Sequence, residues 1–180
     1  MGLRRIVLLV GMALLLSAGP GLAENTRQKP QDHGSTAIKT ISLNPIGEVK
    51  KQGERAWLEI YPQFAPALQG LQDFSHVWVL YWFHDNDRPE ARQTLQVHPR
   101  RNPANPLTGV FACRAPVRPN LIGFTACRII QITGSVVEVA DLDALTGSPI
   151  LDLKPYIPDG DSIPEARTAP FVNAPKKSHH

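Results

Sequence analysis

The sequence predicts a mainly β (α+β) fold in which antiparallel strands form a barrel-like domain. Many short apolar stretches are separated by turn residues, and helical periodicity is scarce. The stretch FSHVWVLYWF, residues 74–83, is aromatic and β-branched throughout, as strands are. A chain of 180 residues suffices for one ordinary domain and is short for two. We therefore expect one sheet that curls or closes on itself.

The chain begins with the layout of a secretory signal peptide. Arg4 and Arg5 precede an apolar run over residues 6–16, and small residues stand before Glu24. An uncleaved N-terminal anchor is the alternative, and both interpretations predict an exported (periplasmic or secreted) protein. After cleavage no integral membrane domain is expected. Removal of residues 1–23 lowers the formal net charge from +3 to +1, so net charge alone does not predict a polyanionic partner.

The remaining chain divides into a flexible linker (24–37), a folded domain (38–165) and a loose C-terminal tail (166–180). Alternation and β-branched content predict strands within the domain, separated by a polar turn at 50–55, one or two helical turns at 62–71 and irregular stretches at 85–91 and 100–107. The predicted strands are residues 41–49, 56–61, 74–83, 94–98, 109–113, 122–133, 136–141 and 150–153.

Residues 74–83 are too apolar for a strand with one wet face, so we expect a central strand that is covered on both sides. Two histidines lie at its ends. His76 fits either a core histidine with a hydrogen-bond partner or a functional group. His84 is the better functional candidate, because it stands where a buried strand opens into a loop.

A rigid cationic loop interrupts two apolar stretches at residues 114–120, which read RAPVRPN. Proline fixes φ, so this loop holds one shape at low entropic cost. Arg114, Arg118 and Asn120 on such a loop suit recognition of a carboxylate, a phosphate or a purine edge. The alternative is a structural clamp in which the arginines pair with aspartates, for which Asp73, Asp143 and Asp152 are candidates.

Two further polar segments follow, DALTGSP at residues 143–149 and ILDLKPY at residues 150–156. They fit either the lining of a cofactor site or a well-satisfied hairpin. Cys113 and Cys127 fall on neighbouring segments, so they fit either a disulfide in an exported chain or two buried thiols. No metal-binding, nucleotide-binding or Ser-His-Asp motif is present in the sequence.

Three segments together resemble the TsaA family, also called the TrmO or YaeB-like family. They are LQGLQDFSHVWVLYWFH (68–84), GVFACRAPVRPNLIG (109–123) and DALTGSPILDLKPYIP (143–158), in the family's order and spacing. The resemblance implies a barrel-like domain that forms a homodimer and binds S-adenosyl-L-methionine. It also implies methyl transfer to the N6 nitrogen of threonylcarbamoyladenosine in tRNA.

The resemblance also implies site residues, although none with an assigned catalytic role. The implied cofactor-binding residues are His84, Asp85, Arg114, Phe124, Asp143, Thr146, Gly147, Ser148 and Pro149. The implied substrate-binding residues are Arg118, Asn120 and Lys154.

The sequence departs from the family pattern in the proposed cofactor site. A Pro-Arg-Gln loop between the first two strands is absent, since the chain runs from Glu48 to Trp57 without it. Cys113 and Ser148 each replace a threonine, and Thr146 replaces an aspartate. These changes, together with the export signal, give an alternative hypothesis: an exported, non-catalytic module that binds a small molecule.

Overall fold

Antiparallel strands close into a barrel, which confirms the predicted fold class. The computed structural model describes residues 40–172, so the predicted signal peptide and linker lie outside the described residues. Six strands form the barrel in the order β1-β2-β7-β6-β3-β8, and β4 and β5 form a separate two-stranded ribbon. In chain order the strands are β1 (Gly47–Gln52), β2 (Arg55–Ile60), β3 (His76–Trp82), β4 (Gln96–Val97), β5 (Thr108–Gly109), β6 (Ile122–Thr133), β7 (Val136–Ala140) and β8 (Pro149–Pro155).

Helical structure is confined to short segments in the connections. Two short α-helices follow β3 and β8, α1 (Pro89–Gln93) and α2 (Pro158–Asp161). The predicted helical turns after β2 are present as 3-10 segments. The 3-10 segments are Pro62–Leu68, Leu71–Asp73, His84–Asn86, Pro99–Arg101, Val110–Ala112 and Pro170–Val172.

The barrel interior is the hydrophobic core. Alternate residues of each strand point inward because successive side chains of a strand lie on opposite faces. Leu58, Val77, Val79, Val137 and Ile150 are completely buried there. Removing each such aliphatic side chain from water contributes about 1.5–3 kcal/mol, so this layer supplies much of the folding free energy.

The expectation that the strongest strand is covered on both faces was wrong. In β3, Val77, Val79 and Tyr81 are buried, whereas the alternate residues are only half-buried. Barrel closure gives each strand one interior face, so the outer side chains must cover one another. Trp78 does so against Phe124 and Tyr156, with ring centroids 5.3 and 5.6 Å apart.

Three predicted boundaries near the site were also wrong. The turn expected at 50–55 is only two residues long, because residues 50–52 and Arg55 continue the antiparallel ladder of β1 and β2. The strand expected at 109–113 ends at Gly109, because its partner β4 is short and the last ribbon hydrogen bond joins Val110 N–H to Leu95 O. The first strand begins at Gly47, after Pro45, rather than at residue 41.

Candidate functional site

The predicted site segments meet at one rim of the barrel. Strand β3 ends at this rim and β6 begins there, with Trp82 paired to Ile122. Strand β8 also begins there, with Ile150 opposite Tyr81. Antiparallel pairing therefore brings the connection before β6 and the connection before β8 to the same end, although they are distant in sequence.

Within the cationic loop, Arg118 is a clamp on the loop itself. Its guanidinium donates hydrogen bonds to the backbone carbonyls of Cys113, Ala115 and Val110 at 3.5, 3.5 and 3.2 Å. Five N–H donors in a planar fork allow one side chain to hold three carbonyls. The structural-clamp alternative is therefore correct for Arg118, but through carbonyl oxygens rather than aspartates.

Arg114 is placed differently. Its guanidinium carbon lies 4.8 Å from the centre of the Phe124 ring, at cation–π distance. Among residues 40–172, Arg114 makes no hydrogen bond and no ion pair with another side chain. Its donors are thus available to an anionic ligand, on a ring that is itself 43% exposed.

A cleft of about 1350 Å³ opens beside this pair. Arg114, Arg118, Phe124 and Asp143 of the predicted site residues line it. Among the described residues that line the cleft, Asp143 is the single acidic side chain, whereas six are arginines. These arginines are Arg88, Arg100, Arg101, Arg114, Arg118 and Arg167.

The loop at residues 142–148 forms a second part of the rim. Gly147 has a left-handed backbone with φ of +84°, which suits a residue without Cβ. Its N–H donates to the Val49 carbonyl at 2.8 Å, and Val49 N–H donates to the Ser148 carbonyl at 3.0 Å. Lys51 contacts the same loop: its N–H donates to Thr146 Oγ1 at 3.0 Å and its Nζ to two loop carbonyls.

His84 connects the end of β3 to the 142–148 loop. Its Nδ1 lies 3.3 Å from Ser148 Oγ, and its Nε2 lies 3.2 Å from Asp85 Oδ1. Ser148 is 2% exposed, so its hydroxyl orients the imidazole rather than meeting solvent. His84, Asp85, Gly147 and Ser148 therefore form one contiguous group, with Thr146 and Pro149 adjacent along the chain. The other end of β3 differs, since His76 is half-buried on the outer face, with Nδ1 2.9 Å from Ser75 Oγ.

Two predicted substrate residues lie apart from this group. Asn120 is exposed, and its backbone carbonyl accepts from Ile122 N–H at the start of β6. Lys154 pairs with Asp152 at 3.0 Å on β8, opposite Trp78 of β3. Neither residue is among those that line the cleft.

Cys113 and Cys127 are both free, so the structure supports two thiols rather than a disulfide. Cys127 faces the barrel interior, where burial raises its pKa to about 12. Tyr81 lies nearby in the core, and burial raises the pKa of its phenol. Its ring packs against Gly123, where an added Cβ would lie 2.5 Å from a ring carbon. These core groups hold their protons at neutral pH.

Sequence reasoning missed Lys51 and most of the cleft arginines. The local sequence predicts a polar turn at Lys51, and nothing in it indicates that this side chain reaches residues 142–146. Arg167 belongs to the predicted loose tail but lines the cleft, and the Arg100 side chain donates to the Val172 carbonyl. A local signal did exist at Arg100 and Arg101, two adjacent cations after proline, both of which adopt positive φ.

The known proteins that this chain resembles are named for tRNA methylation or for S-adenosyl-L-methionine binding. The family model of the tRNA-methyltransferase O N-terminal domain matches residues 35–162. A protein of Pyrococcus horikoshii named "probable S-adenosyl-L-methionine-binding protein" is 40% identical over 117 residues, which cover 65% of this chain and 83% of that protein. The rat tRNA (adenine(37)-N6)-methyltransferase is 41% identical over 114 residues, 63% of this chain and 24% of the rat protein.

Solved structures agree with these matches. A crystal structure of TrmO from Pseudomonas aeruginosa superposes with a TM-score of 0.59 at 32% identity, covering 77% of this chain. The match covers 64% of that TrmO chain. This protein thus spans less than two thirds of the TrmO chain and about a quarter of the rat enzyme.

A closed six-stranded barrel with a cationic cleft at one rim defines the class of protein. All six barrel strands lie within residues 35–162, the part of the chain that the family model matches. The chain belongs to the tRNA-methyltransferase O N-terminal domain family. The resemblance inferred from the three sequence segments is thereby confirmed.

Proposed function

We propose that this chain binds S-adenosyl-L-methionine in the rim cleft and transfers its methyl group to the N6 nitrogen of an adenine in tRNA. The observation that carries the proposal is the Arg114–Phe124 pair, an unpaired guanidinium on an exposed ring beside a cleft of about 1350 Å³. Relatives named for S-adenosyl-L-methionine binding and for tRNA adenine methylation support the ligand and the reaction.

The residues of the cleft fit this ligand chemically. Arg114 can hold a carboxylate through paired N–H donors. Phe124 offers a ring face for an adenine, and Asp143 offers an acceptor for an amino group or hydroxyls. The cleft volume exceeds that needed by a ligand of this size, which leaves room for part of an RNA acceptor.

When bound, S-adenosyl-L-methionine would supply a sulfonium methyl carbon to which the acceptor nitrogen bonds, while the carbon–sulfur electron pair stays on sulfur and the N–H proton passes to solvent. This chain contributes position rather than covalent chemistry. Arg118 fixes the loop that carries Arg114, and Ser148 fixes His84. Alignment of donor and acceptor in a rigid rim supplies much of the rate in such a transfer.

The arginines of the cleft provide the proposed contact with tRNA. Arg88, Arg101 and Arg167 line the cleft with Phe111, which is 80% exposed. Guanidinium groups bind phosphate, and an exposed ring stacks with an unpaired base. Because the formal net charge of the mature chain is small, this local clustering is what favours a polyanion.

The proposal includes a homodimer. Leu95 and Leu107, which lie directly before β4 and β5, are each more than half exposed. Exposed apolar side chains grouped on one element favour contact with another protein surface. Sedimentation equilibrium at micromolar concentration should give twice the chain mass, and Leu107→Asp should shift the chain toward monomer. A wild-type protein that sediments as a monomer throughout would contradict the dimer.

Export is also part of the proposal and rests on residues 1–23 alone. N-terminal sequencing of the protein from cell fractions should find a chain that starts at Glu24 outside the cytoplasm. A full-length cytoplasmic chain would contradict export. Among the residues that the structure describes, no helix is long and apolar enough to span a membrane.

Calorimetry and a methylation assay test the function directly. S-adenosyl-L-methionine should bind the purified chain, and unmodified and threonylcarbamoylated tRNA should be compared as methyl acceptors. Binding with methyl transfer supports the proposal. Binding without transfer to any tRNA would select the non-catalytic binding module, and no heat at millimolar ligand would overturn the proposed function.

A further inference from the structure

Lys51 makes three contacts with a loop about ninety residues away in sequence. Its Nζ donates to the Leu142 carbonyl at 2.9 Å and to the Ala144 carbonyl at 3.2 Å. Its backbone N–H donates to Thr146 Oγ1 at 3.0 Å. An ammonium group that donates to carbonyl oxygens forms charge-assisted hydrogen bonds, which are stronger than neutral ones.

These contacts fix the part of the loop that the barrel ladder does not reach. The ladder with β1 ends near Gly147 and Ser148, through their bonds to Val49. Before that point, Leu142 and Ala144 are buried and Asp143 between them is exposed. Holding the two flanking carbonyls therefore also sets the direction in which Asp143 projects into the cleft.

The loop needs such a restraint. It begins after Asp141, whose backbone has φ of +66°, a left-handed conformation that costs free energy for a residue with a Cβ. The β1–β2 connection is a turn of two residues, Gly53 and Glu54, so it is too short to cover the loop. Lys51, at the end of β1, reaches across in its place.

We propose that Lys51 is a positioning residue that holds the 142–146 loop in the arrangement that binds S-adenosyl-L-methionine. This inference rests on the proposed function. A loop that is only partly in the competent arrangement lowers apparent affinity in proportion to that population. Lys51 therefore acts on ligand affinity through Asp143 and Thr146 without contact with the reacting atoms.

The test uses the full chain with three substitutions of lysine. Lys51→Met keeps the side-chain length and removes the donor, and Lys51→Arg restores a cationic donor. Lys50→Met is the matched control, because Lys50 is the adjacent residue of the same strand and pairs with Glu48 instead of the loop. Calorimetry gives the Kd of S-adenosyl-L-methionine, and hydrogen exchange of the ligand-free chain reports the loop amides.

Lys51→Met should raise the Kd about tenfold and speed exchange at residues 142–148 by a similar factor, since two charge-assisted bonds are lost. Its kcat at saturating ligand should stay within about twofold of wild type, because the ligand itself restores the loop. Lys51→Arg should recover most of the affinity, and Lys50→Met should match wild type.

Equal Kd and equal loop exchange in Lys51→Met and Lys50→Met would overturn the inference while leaving the proposed function intact. If Lys51→Arg did not restore the Kd and saturating ligand did not restore the kcat of Lys51→Met, Lys51 would act in folding alone, and the inference would also be overturned. Wild-type protein that fails to bind S-adenosyl-L-methionine would overturn the proposed function and this inference with it.

Discussion

The barrel wall and the rim cleft each contain an arginine over an aromatic ring, and the two pairs differ in what else the arginine contacts. Arg55 lies 4.8 Å from the Trp57 ring, and Arg114 lies at the same distance from Phe124. Arg55 also binds the Glu138 carboxylate through Nε and Nη2 at 2.9 and 2.8 Å. Arg114 has no carboxylate partner among the described residues.

A third arginine–aromatic pair also has a carboxylate partner. Arg92 lies 5.1 Å from the Trp82 ring and pairs with Asp87 at 2.8 Å, while Trp82 Nε1 donates to the same aspartate. Two arginine–aromatic pairs are therefore neutralised structural units. The pair in the cleft has no carboxylate partner among the described residues, so stacking geometry alone does not separate the proposed binding arginine from the other two.

The largest expected difference between the barrel interior and the cleft is in thiol reactivity. Cys127 is buried and its raised pKa of about 12 leaves little thiolate at pH 8, whereas Cys113 beside Arg114 is half-buried. Iodoacetamide should modify Cys113 at least about 100-fold faster than Cys127 in the folded chain. Peptide mapping by mass spectrometry measures both rates, with Cys113→Ser as control. Comparable rates would mean that the barrel opens readily.

Removal of the Glu138 carboxylate from the barrel wall should have the next largest effect, a loss of stability. Glu138 is 8% exposed and accepts from Arg55 and from Gln131 Nε2 at 2.9 Å. Glu138→Ala should lower the free energy of unfolding by about 2 kcal/mol, because it removes a nearly buried hydrogen-bond network. Urea denaturation gives the value. Glu59→Ala, an exposed glutamate on β2, should change little; equal losses in both variants would refute a special role for Glu138.

The opposite behaviour is expected in the cleft. Arg114→Ala should raise the Kd of S-adenosyl-L-methionine about tenfold by removing charge-assisted bonds. Its melting temperature should change by only about 1 °C, since the guanidinium has no other polar partner to lose. Arg55→Ala is the matched control, because it removes a guanidinium that lies at the same distance from an aromatic ring, but on the barrel wall. It should lose stability and keep affinity; the reverse pattern would contradict the assignment of the two arginines.

The smallest effect is expected at Asp87, in the third pair. Hydrogen bonds from Trp82 and Arg92 lower the pKa of its carboxyl below the ordinary value of 3.8. A lowered folded-state pKa adds stability above pH 3.8 that is lost as pH falls through the folded value. Asp87→Asn should therefore lower the melting temperature by about 1–2 °C at pH 7 and by less at pH 3. A difference that grows toward acid pH would contradict this sign.

Strand positions were the most predictable part of the fold, because they depend on local alternation. The strand predicted at 122–133 is observed as β6 with the same bounds. The predicted turn at 50–55 failed because the polar residues on either side of Gly53 and Glu54 continue the ladder of β1 and β2. The expected double cover of β3 failed because closure of a sheet is not encoded in any one strand.

The rigidity and charge of the cationic loop were predictable, but the different contacts of its two arginines were not. The sequence determined the barrel strands, the rigid RAPVRPN loop and the family segments, since propensity, alternation and proline geometry act over a few residues. Only the tertiary structure decided that Arg118 binds carbonyls, that Arg114 stays unpaired and that Lys51 reaches residues 142–146. Those outcomes depend on which atoms barrel closure brings within hydrogen-bond distance, across separations that no local pattern specifies.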